Sequence, residues 1–125
     1  MANITNTKIS AKKSSGSGNI WEITVEYDAT FTSYELNNAD FSFRDGFVLW
    51  EDDPVWNDQL TGVVGVSVFN PSKSPTHRRM SARIDANTLN TEAFREELFA
   101  RVRLRNMELN WLYPEVRTPL LKLSP

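Results

Sequence analysis

The clearest pattern in the chain is an alternation of apolar and polar positions over residues 21–32. Apolar side chains hold the odd positions and acidic side chains or threonines hold the even positions, the apolar set being Trp21, Ile23, Val25, Tyr27, Ala29 and Phe31. A period of two places these sets on opposite faces of a strand, so the segment predicts a strand with one buried and one solvated face. After Thr32 the apolar phase changes, which predicts a bulge or bend near Ser33.

Similar signals predict about six more strands. Residues 79–86 and 100–105 alternate in the same way, and valines recur at every second position of 64–68. Shorter strands are expected around residues 4–9 and 116–123, the latter at a sheet edge because Pro119 interrupts it. The apolar run Phe47–Trp50 follows Asp45-Gly46, a pair typical of a two-residue hairpin turn.

The order of these elements predicts the fold class. Turn residues cluster at 14–18, 37–38, 52–57, 70–75 and 110–114, and one short connecting helix is expected at Thr91–Leu98, capped by Asn90. We therefore expect residues 1–125 to form one all-β domain, an antiparallel sandwich of about seven strands. An immunoglobulin-like or fibronectin-like order fits best, and a C2-like or jelly-roll sandwich is the alternative. Phe99 stands where a tyrosine corner would begin the penultimate strand, and no family is indicated by specific residues.

Composition excludes several classes of protein. The 125 residues include 40% hydrophobic and 24% charged side chains, which favours a folded globular domain over disorder. Cysteine is absent, so disulfides, thiolate metal sites and cysteine nucleophiles are excluded. No signal-peptide pattern or membrane-spanning run is present, and we expect a soluble cytoplasmic protein without a membrane partner.

Two rows of arginine lie on the polar phases of predicted strands. Arg79 and Arg83 form one row, and the other contains Arg101, Arg103 and Arg105. Such rows can bind phosphates, but acids on the outer face of the first long strand offer cross-strand partners. We expect Glu22 and Glu26 to lie beside Arg79 and Arg83. With a net charge of -2, no nucleic-acid partner is expected.

The stretch Glu51–Asp58 is the strongest candidate for a binding loop. It combines acids with an aromatic side chain, and the candidate binding residues are Asp52, Asp53, Trp56 and Asp58, with Trp111 from a second loop. Carboxylates in a loop can ligate calcium, and an exposed indole can stack on a sugar. The spacing matches no EF-hand, so no metal ligands are assigned. Trp21 and Trp50 lie in apolar runs and are expected in the core.

The inventory for catalysis is small. His77 is the single histidine, no serine lies in a nucleophile-elbow pattern, and no phosphate-binding glycine loop is present. No catalytic residues and no cofactor are assigned. The leading hypothesis is a non-catalytic interaction or structural module that contacts another protein or another copy of itself. The alternative is a domain that binds calcium or carbohydrate through residues 51–58.

Overall fold

Strands make up most of the chain. A computed structural model describes residues 2–13, 20–52, 57–89 and 96–123. In these ranges the elements are, in chain order, β1 (Asn3–Lys13), β2 (Ile20–Thr30), α1 (Ser33–Asn37), β3 (Phe43–Glu51), β4 (Asp58–Gln59), β5 (Val64–Phe69), β6 (Thr76–Asp85), α2 (Ala86–Leu89), β7 (Glu96–Asn106), β8 (Trp111–Leu112), β9 (Val116–Arg117) and β10 (Leu121–Leu123). The all-β sandwich is confirmed, and each of the seven predicted strands has a counterpart.

The three-stranded sheet has the order β1-β2-β6, with antiparallel pairing throughout. The alternating segment of the sequence is its central strand, β2. Glu22 lies opposite Arg83 and Glu26 lies opposite Arg79, so the predicted pairing of these strands is confirmed. The acids of β2 therefore run between two strands that carry basic residues.

The larger sheet is built on β3 and β7, which pair along their whole lengths. β4 and β5 pair with the edge of β3 that faces away from β7. Along the edge of β7 that faces away from β3, β10, β9 and β8 follow one another. Between β9 and β10, Thr118 accepts a hydrogen bond from the Ala100 N–H through its hydroxyl at 2.9 Å and returns one from its own N–H at 2.8 Å. The C-terminal segment is thus the interrupted edge strand that Pro119 predicts.

The core lies between the two sheets. Apolar side chains of the alternating segments 21–32, 79–86 and 100–105 are buried together there, among them Ile23, Val25, Tyr27, Phe31, Ile84, Val102 and Leu104. Trp21, at the start of the first segment, is half-buried and packs against this cluster. The alternation of the sequence therefore gives the correct inward face of β2, β6 and β7.

The expected hairpin turn at Asp45-Gly46 is wrong, because β3 runs straight through both residues. Asp45 points inward, where its carboxylate accepts hydrogen bonds from the Tyr27 hydroxyl at 2.7 Å and from Arg78 Nε and Ser67 Oγ at 2.9 Å each. These donors come from three other strands. Together they outweigh the local preference of Asp-Gly for a turn.

The predicted helix at Thr91–Leu98 is also corrected. Residues 96–98 belong to β7, while Asn90 and residues 91–95 lie outside the described ranges. A short connecting helix does precede β7, but it is α2 at Ala86–Leu89. The phase change near Ser33 marks α1, which begins with a capping box between Thr32 and Glu35. Neither helix is long and apolar enough to cross a membrane, as judged over the described residues.

Candidate functional site

An apolar groove of about 310 Å³ opens at one end of the sandwich. It is lined by Thr32, Tyr34, Glu35, Leu109, Trp111 and Tyr113. Three of these side chains are unusually exposed for their size: Tyr34 at 66%, Leu109 at 56% and Trp111 at 50%. Large apolar side chains that gather on a surface mark a binding site more often than scattered ones do. We call this set of residues the apolar groove.

Two local structures bring the groove residues together. The capping box fixes α1, because Thr32 Oγ1 accepts a hydrogen bond from the Glu35 N–H at 3.2 Å and Glu35 Oε1 accepts one from the Thr32 N–H at 2.9 Å. The turn after β7 is held by Asn106 Oδ1, which accepts the N–H groups of Glu108 and Leu109 at 3.1 and 3.0 Å. Asn110 completes this turn with a φ of 52°, a conformation that asparagine tolerates.

The floor of the groove is a buried hydrogen-bonded pair, Glu35 and Tyr113. The Tyr113 hydroxyl donates to Glu35 Oε2 at 2.5 Å, and the Ala2 N–H donates to the same oxygen at 3.1 Å. Burial alone would raise the pKa of Glu35, but the donors from Thr32 and Tyr113 outweigh it and hold this pKa below its ordinary value. Burial, followed by the bond to Glu35, raises the pKa of Tyr113. The floor is therefore a fixed anion with its donors already in place.

The acidic loop predicted as the binding site does not join this groove. Asp52 follows β3, donates its N–H to the Glu97 carbonyl at 2.8 Å and places its carboxylate 3.6 Å from Arg117. Asp58 is exposed in β4, and Asp53 and Trp56 lie outside the described residues. Glu51 pairs with Leu98 and Trp111 with Asn106, eight residues along β7. At about 3.3 Å per residue these positions are roughly 26 Å apart.

The described residues do not include a set of ligands for calcium. Among the described residues, no group of three or more histidine, cysteine, aspartate or glutamate side chains is placed to hold a metal ion. Asp52 faces a guanidinium group instead of a second carboxylate.

The three tryptophans in the described ranges lie in three different environments. Trp111 is exposed, as its loop position predicted, and Trp21 is half-buried against the core. Trp50 was expected in the core, but it lies half-buried on the outer face of the larger sheet. There its ring stacks on Phe99, with ring centroids 6.5 Å apart, and Arg101 Cζ lies 4.7 Å from the Trp50 centroid.

His77 lies on the outer face of the three-stranded sheet between two carboxylates. Its Nδ1 is 2.8 Å from Asp28 Oδ1 and its Nε2 is 3.0 Å from Glu26 Oε1. The bonds to Asp28 and Glu26 raise the pKa of His77, and the His77 ring lowers the pKa of Glu26 in turn. The pKa of Asp28 is lowered by hydrogen bonds from the Asn6 amide and from His77. With both nitrogens engaged, His77 forms a surface ion-pair cluster and is not assigned a catalytic role.

No protein-family model matches the chain, and no curated protein matches it. A solved structure that is similar is the X-ray structure of a Northeast Structural Genomics Consortium target, with 10% sequence identity and a TM-score of 0.39. The similarity covers 99% of this chain and 86% of that one. The architecture is accordingly defined by the strand pairing described above.

Proposed function

We propose that this domain is a non-catalytic interaction module that holds an apolar side chain of another protein, or of another copy of itself, in the apolar groove. The observation that carries the proposal is the convergence of Tyr34, Leu109 and Trp111, each at least half exposed, on one cavity. Burying such side chains against a partner removes apolar surface from water, and exposed aromatic anchors are where binding energy concentrates. A rigid sandwich with functional loops at its end is a usual design for a binding domain.

The chemistry of the groove favours a protein partner over a sugar. Carbohydrate recognition needs polar groups that are available to the ligand's hydroxyls. In the groove, both oxygens of Glu35 and the hydroxyls of Thr32 and Tyr113 already make hydrogen bonds within the protein. The surface that remains is mostly apolar, which suits an aliphatic or aromatic side chain.

We also propose the immunoglobulin-like or fibronectin-like subclass of sandwich. The pairing of β1 with β2 and β6 in one sheet, and of β3 with β7 in the other, supports it. β5, the fourth long strand, pairs with β3 and not with β6. This pairing departs from the strand order of an immunoglobulin constant domain and is closer to the fibronectin-like alternative.

Replacement of the groove residues tests the function. Trp111→Ala and Leu109→Ala should each abolish capture of a partner from the native cell extract, or weaken self-association measured by sedimentation velocity. Leu120→Ala is the matched control, because Leu120 is a similarly exposed leucine that does not line the groove. Melting temperatures should stay within a few degrees for all three, since the side chains removed are largely solvated.

The binding results of the three variants decide whether the groove has a specific role. Loss in the two groove variants with retention in Leu120→Ala supports the module. Equal binding by all three variants, or equal loss in all three, contradicts a specific role for the groove.

A further inference from the structure

The outer face of the larger sheet carries a concentration of arginine that the opposite sheet does not neutralise. β3 and β7 present it together, with Arg44 opposite Arg105, Gly46 opposite Arg103 and Val48 opposite Arg101. Arg117 of β9 lies opposite Arg101 and places its guanidinium carbon 3.8 Å from the centroid of Phe99. We call these five arginines the arginine face: Arg44, Arg101, Arg103, Arg105 and Arg117.

Charge pairing explains the other arginine row but not this one. Arg79 and Arg83 lie in the three-stranded sheet, directly opposite glutamates of β2. The acids of β2 cannot neutralise the charges of the arginine face, because the core of the sandwich separates the two sheets.

The described carboxylates near the arginine face are fewer than its guanidinium groups. Glu115 lies 3.4 Å from Arg103 and Asp52 lies 3.6 Å from Arg117, while Glu97 is paired with Lys122 at 3.8 Å. Among these residues an excess of three positive charges remains, in a chain whose net charge is -2. An excess of like charge on one face is costly without a counter-ion, so the face is suited to an anionic partner.

Three of the arginines surround a small cavity of about 140 Å³. Its walls are Arg44, Arg103 and Arg105 together with Asp45, Gly46, Val63 and Leu112. Gly46 lets the chain approach closely here, because a Cβ at this position would lie 2.7 Å from Val63 Cγ1. The cavity has room for the carboxylate of an acidic side chain, and guanidinium groups bind carboxylates with paired hydrogen bonds.

We propose that the arginine face binds an acidic, extended segment of a partner protein, one carboxylate of which enters this cavity. Arg103 and Arg105 are two residues apart on β7, so their side chains are about 6.6 Å apart, the spacing of acids at alternate positions of an extended segment. Exposed Val66, Val68 and Leu112 flank the arginines and supply apolar contacts for the residues of that segment.

A protein segment fits this face better than a single-stranded nucleic acid does. Binding of single strands relies on open aromatic rings on which bases stack. Here Arg101 and Phe99 already occupy the neighbourhood of the Trp50 ring, and Arg117 covers Phe99. The proposal does not depend on the apolar groove, since the two surfaces share no lining residue.

A labelled synthetic peptide of alternating glutamate and valine is the probe, with its binding measured by fluorescence anisotropy. The unsubstituted protein should bind it saturably, with affinity that falls as salt increases. The double variant Arg44→Gln/Arg105→Gln should weaken binding by at least about tenfold, because it removes charge-assisted hydrogen bonds to carboxylates. The matched control is Arg79→Gln/Arg83→Gln, which makes the same change in net charge on the opposite sheet.

Backbone amide shifts in the NMR spectrum of the unsubstituted protein locate the peptide without any variant, which guards against a variant that misfolds. Shifts confined to residues 43–47, 66–68, 101–105, 112 and 117, with binding retained in the control, support the proposal. Equal weakening in both double variants, no saturable binding, or tighter binding of oligodeoxythymidine than of the peptide at the same residues would overturn it.

Discussion

Replacing Arg78 with methionine would leave the carboxylate of Asp45 buried between the sheets without its cationic partner. The Asp45 side chain has no exposed surface and that of Arg78 is 21% exposed. Arg78 Nε donates to Asp45 Oδ2 at 2.9 Å, and its guanidinium carbon lies 3.9 Å from the centroid of Phe69. Burial opposes the charge of Arg78, but the hydrogen bond and charge of Asp45 outweigh it and raise the Arg78 pKa. Arg78 therefore stays a cation beside the Asp45 carboxylate in the folded protein.

The expected cost follows from this geometry. Breaking a buried ion pair by removing one partner destabilises a protein by about 3–5 kcal/mol, because an uncompensated charge remains inside. Tyr27 and Ser67 would still donate to Asp45 at 2.7 and 2.9 Å, which favours the lower half of that range. Domains of this kind are stable by only about 5–15 kcal/mol, so Arg78→Met should remove a large part of the margin.

Urea unfolding followed by tryptophan fluorescence would measure the change. The exposed pair Lys12 and Glu22, 3.8 Å apart, provides the control, and Lys12→Met should change the free energy of unfolding by about 0–1 kcal/mol. The double variant Asp45→Asn/Arg78→Met should recover part of the loss, because it removes both charges. If Arg78→Met costs less than about 1 kcal/mol, or the double variant is no more stable than the single one, the reasoning fails.

Three further predictions concern single residues. His77→Gln should flatten the pH dependence of stability measured by thermal melting. Because the pKa of His77 is raised in the folded protein, the stability that His77 contributes is full below its ordinary pKa of 6.5 and is lost as pH rises through the folded value. An unchanged pH profile would contradict this. Gly65→Ala should destabilise by about 2–4 kcal/mol in urea, because its φ is +63° and a Cβ would lie 2.6 Å from a buried phenylalanine ring, while Gly62→Ala, with open space around it, should be near neutral. Tyr113→Phe should cost about 1–3 kcal/mol by removing a donor from the buried carboxylate of Glu35, and an unchanged midpoint would show that this bond is not stabilising.

Alternation along the chain is enough to predict the sandwich, because a strand with one buried face must repeat every two residues. β2 shows this most clearly, and the same period gives the inward faces of β6 and β7. The errors occur where contacts distant in sequence decide the local structure. Asp45-Gly46 has the composition of a turn, but Asp45 finds three donors from other strands and is drawn inside.

The start of β7 shows the same limit. Glutamate, leucine and phenylalanine at 96–99 are compatible with a helix, yet Leu98 pairs with Glu51 on one side and with Leu121 on the other. Pairing on both edges outweighs a weak helical propensity. A missed signal was present at α1, where Thr32 and Glu35 have the spacing of a capping box.

The candidate site was predictable only in part. Trp111 stood out because it is a tryptophan among polar residues, and the structure leaves it exposed. Its neighbours in the groove could not be inferred, since Glu35 and Tyr113 are 78 residues apart and meet only when the two sheets pack. The acidic stretch was conspicuous by composition, but one of its described acids, Asp52, is paired with Arg117.

The two side chains of strand β8 point to opposite faces of the sheet, so each one contributes to a different one of the two proposed surfaces. Trp111 lies opposite Asn106 and lines the apolar groove, whereas Leu112 lies opposite Arg105 and lines the cavity of the arginine face. A one-residue insertion in the preceding turn would place Trp111 opposite Arg105 and present an indole to the arginines, whereas a one-residue deletion would place Leu112 opposite Asn106 and present an aliphatic residue to the groove. The length of the turn over residues 107–110, independently of its composition, therefore determines which surface receives the tryptophan.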